Sequence, residues 1–257
     1  CQIIEDSALL ESKIRSISIP SSLIDLQDGW CDFTNNLIEI SVDENNPRYA
    51  ILANIMIIGK SVSIEQENYD VLVFCVRNIM ELVIPSFIEI LAPFCFDNCE
   101  LLEKVTFLND SKLRIIGEYS FYKCSFESIN LSCHVTTICK RAFNNCEYLT
   151  EFNIPMNSEL RTIKNWAFGD TSIKNLFLPA SMVELDDQWS LRSIILNIDV
   201  DKNNPLYSLY DDHLLLGKSS IEQDFFDELV FCPRDVNLTT IPSFIKKISS
   251  YSFSNSN

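Results

Sequence analysis

The sequence predicts a right-handed, β-rich solenoid. Stacked coils place a parallel sheet of about nine short strands on the concave face and short extended or helical segments on the convex face. Three observations predict it. A spaced apolar pattern returns about every 23 residues. A phenylalanine followed three residues later by a small residue returns with it. Two long stretches also match each other at an offset of 157–158 residues. Periods of this length are searched for first, because a missed repeat misassigns the whole fold.

The first element is a segment of form apolar-x-x-apolar-x-apolar, often closed by proline. Its members lie at 14–20, 37–42, 79–85, 102–107, 126–131, 149–155, 173–179, 195–200 and 236–242. Successive starts are 23, 42, 23, 24, 23, 24, 22 and 41 residues apart. Alternation turns one face of each segment inward. Proline at the end cannot donate to a sheet ladder and stops the strand.

The second element pairs two apolar residues three apart with an aromatic five residues on: Ile88, Leu91 and Phe96; Leu113, Ile116 and Phe121; Val135, Ile138 and Phe143; Leu160, Ile163 and Phe168; Ile245, Ile248 and Phe253. Trp30 and Trp189 take the aromatic place one residue early. Each coil exposes apolar residues above and below, so it is stable only when stacked on its copies. Equivalent side chains then repeat at about 4.8 Å. Cys99, Cys124 and Cys146 fall at one position of consecutive coils, where a buried thiol acts as a small hydrophobe. A free-thiol ladder is expected there, with Thr171 and Ser256 continuing it. Serine at position 124 would bury an unpaired hydroxyl, at a cost of about 1–3 kcal/mol.

Two hairpin-like insertions, at about 43–78 and 201–235, replace the second element. "VDENNPRYAI" pairs with "VDKNNPLYSL", and "IPSF" at 84–87 with "IPSF" at 241–244. Asn-Asn-Pro reads as a turn and the apolar runs as a projecting ribbon. Duplication explains its recurrence. The other reading is a contact surface or self-association site formed by Tyr49, Tyr69 and Phe74 in one ribbon and Tyr207, Phe225, Phe226 and Phe231 in the other.

Composition narrows the function classes. The 257 residues are 47% hydrophobic and carry a net charge of −16. That balance argues against nucleic acid, whose phosphates need a basic stripe. No apolar run reaches the roughly 18 residues of a membrane-spanning helix, so no direct membrane insertion of this segment is expected. A single solenoid over residues 1–257 is expected. The chain opens on Cys1 rather than methionine and stops at Asn257 inside a recurring motif, as expected of a fragment of a longer protein.

Chemistry finds little purchase. "IGKS" (58–61) and "LGKS" (216–219) echo a phosphate loop, but Asn54 and Asp212 stand where it needs glycine. Cys133, His134 and Cys139 are close in sequence without the convergence a zinc site requires. Neither His134 nor His213 accompanies a nucleophile elbow. Asp186-Asp187 and Asp211-Asp212 read as solvated turns. No catalytic residue, cofactor or metal is expected.

The outward positions of the first legs remain as a candidate surface: Met80, Glu81 and Val83; Glu103, Lys104 and Thr106; Glu127, Ser128 and Asn130; Thr150, Glu151 and Asn153; Lys174, Asn175 and Phe177. They form either a solvated sheet face or a protein-binding face, and the acidic column of Glu103 and Glu127 would steer a basic partner. Glycosylation sequons stand at Asn109, Asn130 and Asn237.

The blocks at 91–99, 116–124 and 138–146, the two IPSF blocks and the Asn-Asn-Pro-x-Tyr insertions resemble the BspA-like leucine-rich repeats of bacterial and protozoan surface proteins. The resemblance covers the chain from about residue 13. It implies a leucine-rich-repeat solenoid at a cell surface or outside the cell that binds protein ligands without catalysis. Host extracellular matrix proteins such as fibronectin and fibrinogen are among the partners it implies, along with contacts between microbes. The alternative with the same fold is an intracellular scaffold or regulatory protein in the cytoplasm.

Overall fold

The computed structural model describes residues 1–220, 222–233 and 240–254. They form a β-solenoid of about ten turns with parallel strands. Among them no helix occurs, so the convex side is built from turns and two-residue strands alone.

The first legs are Ser16–Ile19, Glu39–Val42, Glu81–Ile84, Lys104–Phe107, Ser128–Asn130, Glu151–Asn153, Asn175–Leu178 and Asn197–Val200. Alternation works as the pattern requires: Leu82, Val105, Ile129, Phe152, Leu176 and Ile198 are buried, while the residues before them are exposed. Strand register follows the sequence alignment, with Glu81 opposite Lys104, Ser128 opposite Glu151 and Asn175 opposite Asn197.

The expected run of about nine strands is divided, however, into two pairs and a group of four. The first break coincides with the first insertion. The second lies between Lys104–Phe107 and Ser128–Asn130, one of the two places where the repeat step is 24 residues. At the other such step only Glu151 and Asn175 are paired. One extra residue per coil therefore loosens the ladder. The ninth segment, 236–242, falls largely outside the described residues.

The second legs make a longer ladder. Ile90–Leu91, Ile115–Ile116, Thr137–Ile138, Thr162–Ile163 and Glu184–Leu185 join three insertion strands in an eight-stranded sheet. Beyond each leg the chain turns through an arc with two residues in the left-handed region, such as Phe94 and Asn98, Tyr119 and Lys123, Arg141 and Asn145, and Trp166 and Asp170. This alternation points backbone N–H groups at the next coil. Phe94, Phe96 and Asn98 donate to the carbonyls of Glu118, Ser120 and Tyr122, at 2.8–2.9 Å. The ladder phenylalanines lie between the two left-handed residues. Phe96, Phe121, Phe143 and Phe168 are fully buried, with successive ring centroids 5.0, 5.2 and 5.8 Å apart.

Cys99, Cys124 and Cys146 are free thiols buried beside these rings. Burial pushes all three up from the ordinary thiol value, Cys146 to about 12. The thiols of Cys124 and Cys146 donate to the carbonyls of Phe96 and Phe121 in the preceding coil. Where hydroxyls replace them, Thr171 and Ser193 donate to the carbonyls of Phe168 and Ser190, three residues back in their own coil. This alternative corrects the cost expected for serine at position 124. Its hydroxyl has a carbonyl in reach, so Cys124→Ser is expected to destabilise by only about 1 kcal/mol, from lost packing. Urea unfolding of the variant measures it, and a loss above 3 kcal/mol would show an unsatisfied hydroxyl.

The insertions are not projecting ribbons. In the first, Tyr49–Leu52, Met56–Gly59 and Val71–Cys75 form an antiparallel meander whose last strand pairs in parallel with Ile90–Leu91. The second repeats this with Tyr207–Tyr210, Leu214–Gly217 and Glu228–Phe231, the last pairing with Lys247–Ile248. Each meander is stitched to the coil before it. Asn46 donates to the carbonyls of Pro20 and Leu23 and accepts from the amides of Arg48 and Tyr49. Asn204 repeats the pattern on Pro179, Met182, Leu206 and Tyr207. The Tyr49 hydroxyl accepts from the Leu26 amide at 2.8 Å, and that of Tyr207 from Leu185 at 3.1 Å. A Cβ on Gly59 would come within 3.1 Å of the Tyr49 ring, so glycine lets the ring lie flat across the hairpin. The Gly-Lys-Ser turns belong to this construction, since Ser61 is held by Asp70 and Ser219 by Asp227.

Behind the first meander a charged side chain is buried. Arg77, 3% exposed, donates to the carbonyls of Cys95 and Phe94 and lies over the Phe74 ring. Asp97 nearby is fully buried. Burial raises its carboxyl to about 6, against the opposing pull of Arg77 and the Phe33 amide.

Candidate protein-binding surface

The first legs present their outward residues in straight rows across the coils. One row runs Glu81, Lys104 in the first sheet and Ser128, Glu151, Asn175, Asn197 in the next. A second runs Val83, Thr106 and then Asn130, Asn153. Beside them stand Met80, Glu103, Glu127, Thr150 and Lys174, all exposed. The residues of the two rows stand on strands whose alternate residues are core, and Met80, Glu103, Glu127, Thr150 and Lys174 each precede such a strand by one residue.

Two kinds of residue share this face. Some bind one another: Asn153 donates to Asn130 at 3.0 Å and Asn197 to Asn175 at 2.8 Å, side chain to side chain. Such amide ladders satisfy the sheet surface itself. Others have no ion-pair partner among the described residues: Glu81, Glu103, Lys104, Glu127, Glu151 and Lys174. Met80 and Val83 add apolar surface, 58% and 51% exposed. Phe177 is half-buried and packs against the core, so only part of its ring is available.

The aromatic set predicted for the insertions divides. Tyr49, Phe74 and Phe231 are buried and cannot meet a partner in this fold. Phe74 packs on Trp30 at 5.6 Å, and Phe231 on Trp189 at 5.6 Å, so these rings extend the ladder across the meanders. Tyr207 is half-buried with its hydroxyl engaged by the backbone. Tyr69 and Phe226 are half-buried at the meander tips, and Phe225 is 51% exposed.

The other motifs also find places. His134 is exposed and lies 3.0 Å from Glu159 across neighbouring coils. Asn109 and Asn130 are exposed, whereas Asn237 lies outside the described residues. No group of three or more metal-ligating side chains occurs among the described residues. No helix there is long and apolar enough to cross a membrane.

Against this geometry, residues 70–193 match the BspA type leucine rich repeat region in six copies. Residues 70–193 are BspA-type leucine-rich repeats. Solved structures extend the likeness in fold to nearly the whole chain. The pneumococcal vaccine antigen PcpA aligns over 98% of this chain and 47% of its own, at 18% identity and a TM-score of 0.54. A leucine rich cell surface protein from Faecalibacterium prausnitzii A2-165 aligns over 99% and 56%, at 16% identity and 0.56. A leucine-rich repeat protein from Bacteroides ovatus ATCC 8483 aligns over 99% and 68%, at 17% identity and 0.51. The chain thus spans about half the length of PcpA and of the Faecalibacterium protein. No curated protein matches the sequence. In this chain the BspA-type coils supply the straight rows, and their periodicity is why the register was readable in advance.

Proposed function

We propose that the chain is a non-enzymatic protein-binding module of a microbial cell-surface protein, engaging its ligand through the first-leg face. The observation that carries this reading is the row of exposed charges without partners on a rigid sheet, with Met80 and Val83 beside them. A solenoid offers such rows as an extended platform, and charges aligned on it steer a partner of opposite sign. The BspA-type repeats and the cell-surface protein among the structural neighbours support the placement at a surface. Glu81, Glu103, Glu127 and Glu151 outnumber Lys104 and Lys174, which favours a partner with a basic patch.

Host matrix proteins are the ligand class to test first. Immobilised fibronectin and fibrinogen should bind the chain, more weakly as salt rises. Replacing both Glu103 and Glu127 with lysine should weaken binding about tenfold without changing the far-ultraviolet circular dichroism. Binding no stronger than to serum albumin would remove the matrix proteins. Full binding by the double variant would remove this face.

All ten cysteines are free, which favours the second reading, an intracellular scaffold in a reducing compartment. Burial of the ladder thiols makes them compatible with either place. Surface labelling of intact cells that express the whole protein separates the two.

A further inference from the structure

A groove of about 620 Å³ opens between the first meander and the turn that follows Pro85, and none of the first-leg surface residues lines it. Tyr69 and Phe87 supply its rings, and Glu67, Asp70 and Glu89 supply carboxylates. Phe87 is 40% exposed. None of the three acids has an ion-pair partner among the described residues, although Asp70 holds the Ser61 amide and hydroxyl. Lys112 also lines the groove, without an ion-pair partner among the described residues, and the surface continues past Arg114, His134 and Glu159. Lys60 lies 5.4 Å from the Tyr69 ring, but its ammonium is committed to the carbonyls of Pro47 and Ile64.

The duplication provides an internal comparison. The same construction recurs with Asp224 for Glu67, Phe226 for Tyr69, Asp227 for Asp70 and Phe244 for Phe87. One substitution reverses charge: Lys246 stands where the first copy has Glu89. Its ammonium lies 4.4 Å from the Phe225 ring centroid and 3.4 Å from a carboxylate oxygen of Asp227. The second copy thus holds a cation of its own between a ring and an acid. The first copy keeps the acid, has Asn68 where Phe225 stands, and carries Glu89 in place of Lys246, so Asp70 has no ion-pair partner among the described residues.

We infer that the groove at Tyr69, Phe87 and Glu89 receives a lysine or arginine side chain of a partner protein. Its carboxylates pair with the cation, and the rings cover the aliphatic stem and attract the charge. Lys112 and Arg114 place positive charge along the continuation, so an acidic residue following the basic one fits better than a second basic one. This site is independent of the first-leg face.

The test uses the ¹⁵N-labelled chain and seven-residue glycine-serine peptides carrying arginine, glutamine or glutamate at the centre. The arginine peptide should shift the amides of Tyr69, Phe87 and Glu89, with an affinity about tenfold above the glutamine peptide. Glu89→Lys, which reproduces the charge of the second copy, should abolish those shifts while leaving the rest of the spectrum in place. Tyr69→Ala should weaken them. Glu103→Lys on the first-leg face should leave them unchanged. Equal response to the glutamine peptide, or an unchanged response in Glu89→Lys, overturns the inference.

Discussion

Replacing Arg77 with methionine is expected to lower the unfolding free energy by about 3–5 kcal/mol, because it removes one member of a buried charge network. The guanidinium satisfies the carbonyls of Cys95 and Phe94, stacks on Phe74 and offsets the charge of Asp97. Methionine keeps most of the volume but loses the cation–π contact and both hydrogen bonds, and it leaves Asp97 buried without its counter-charge. Adding Asp97→Asn to the variant should recover part of the loss, since an amide in that place carries no charge to desolvate. Urea unfolding of the two single variants and the double variant measures the coupling.

The same network sets a dependence on pH. Burial raises the Asp97 carboxyl from its ordinary 3.8 to about 6 in the fold. The folded state therefore binds the proton more tightly between those values, and stability falls as pH rises from about 4 to about 6. The size is about 3 kcal/mol, complete above the upper value. Asp97→Asn should lack this component, and in Arg77→Met the fall should continue above pH 6. Identical pH profiles for the parent and Asp97→Asn would show that the carboxylate is not desolvated.

Replacing Asn46 with alanine is the other large expected effect, again about 3–5 kcal/mol. One buried amide serves four backbone groups, the carbonyls of Pro20 and Leu23 and the amides of Arg48 and Tyr49. The Leu23 carbonyl and the Arg48 amide have no other hydrogen-bond partner among the described residues, and an unsatisfied buried group costs about 1–3 kcal/mol. Aspartate should be nearly as harmful, because a carboxylate accepts from the amides but repels the carbonyls. Asn204→Ala should behave alike, and the two losses should add, since the sites lie in separate meanders. Loss of less than 1 kcal/mol in Asn46→Ala would mean that water replaces the side chain.

The sequence was most legible where one physical demand repeats. Stacking makes each coil bury the same positions, so the register within each group of first legs and the ladder from Phe96 to Phe168 followed from spacing. The insertions are hairpins, as their apolar runs imply, but spacing does not say that these hairpins lie within the ladder rather than project from it. Phe74 follows Leu72 by two residues, whereas Phe96 follows Leu91 by five, since the meander strand runs straight where the ordinary coil turns. No period could therefore place Phe74 beside Trp30. Tyr49 looked like a surface aromatic, although Gly59 opposite it was a trace of the ring's position. The groove at Phe87 went unread for a different reason. Its walls come from segments about twenty residues apart, and its meaning lies in the change from Glu89 to Lys246, which appears only when the two copies are superposed.

The paired left-handed positions limit how these coils diverge over time. At Phe94, Asn98, Tyr119, Lys123, Arg141, Asn145, Trp166 and Asp170 the chain uses aromatic, amide, basic and acidic side chains, but no valine, isoleucine or threonine. Branching at Cβ is what a positive φ resists, while size and charge are nearly free. Drift along the convex arc can thus rewrite charge and bulk from coil to coil without disturbing the stack. The arc is a surface on which new specificities can accumulate at little structural risk, provided that each change respects one rule about a single carbon atom.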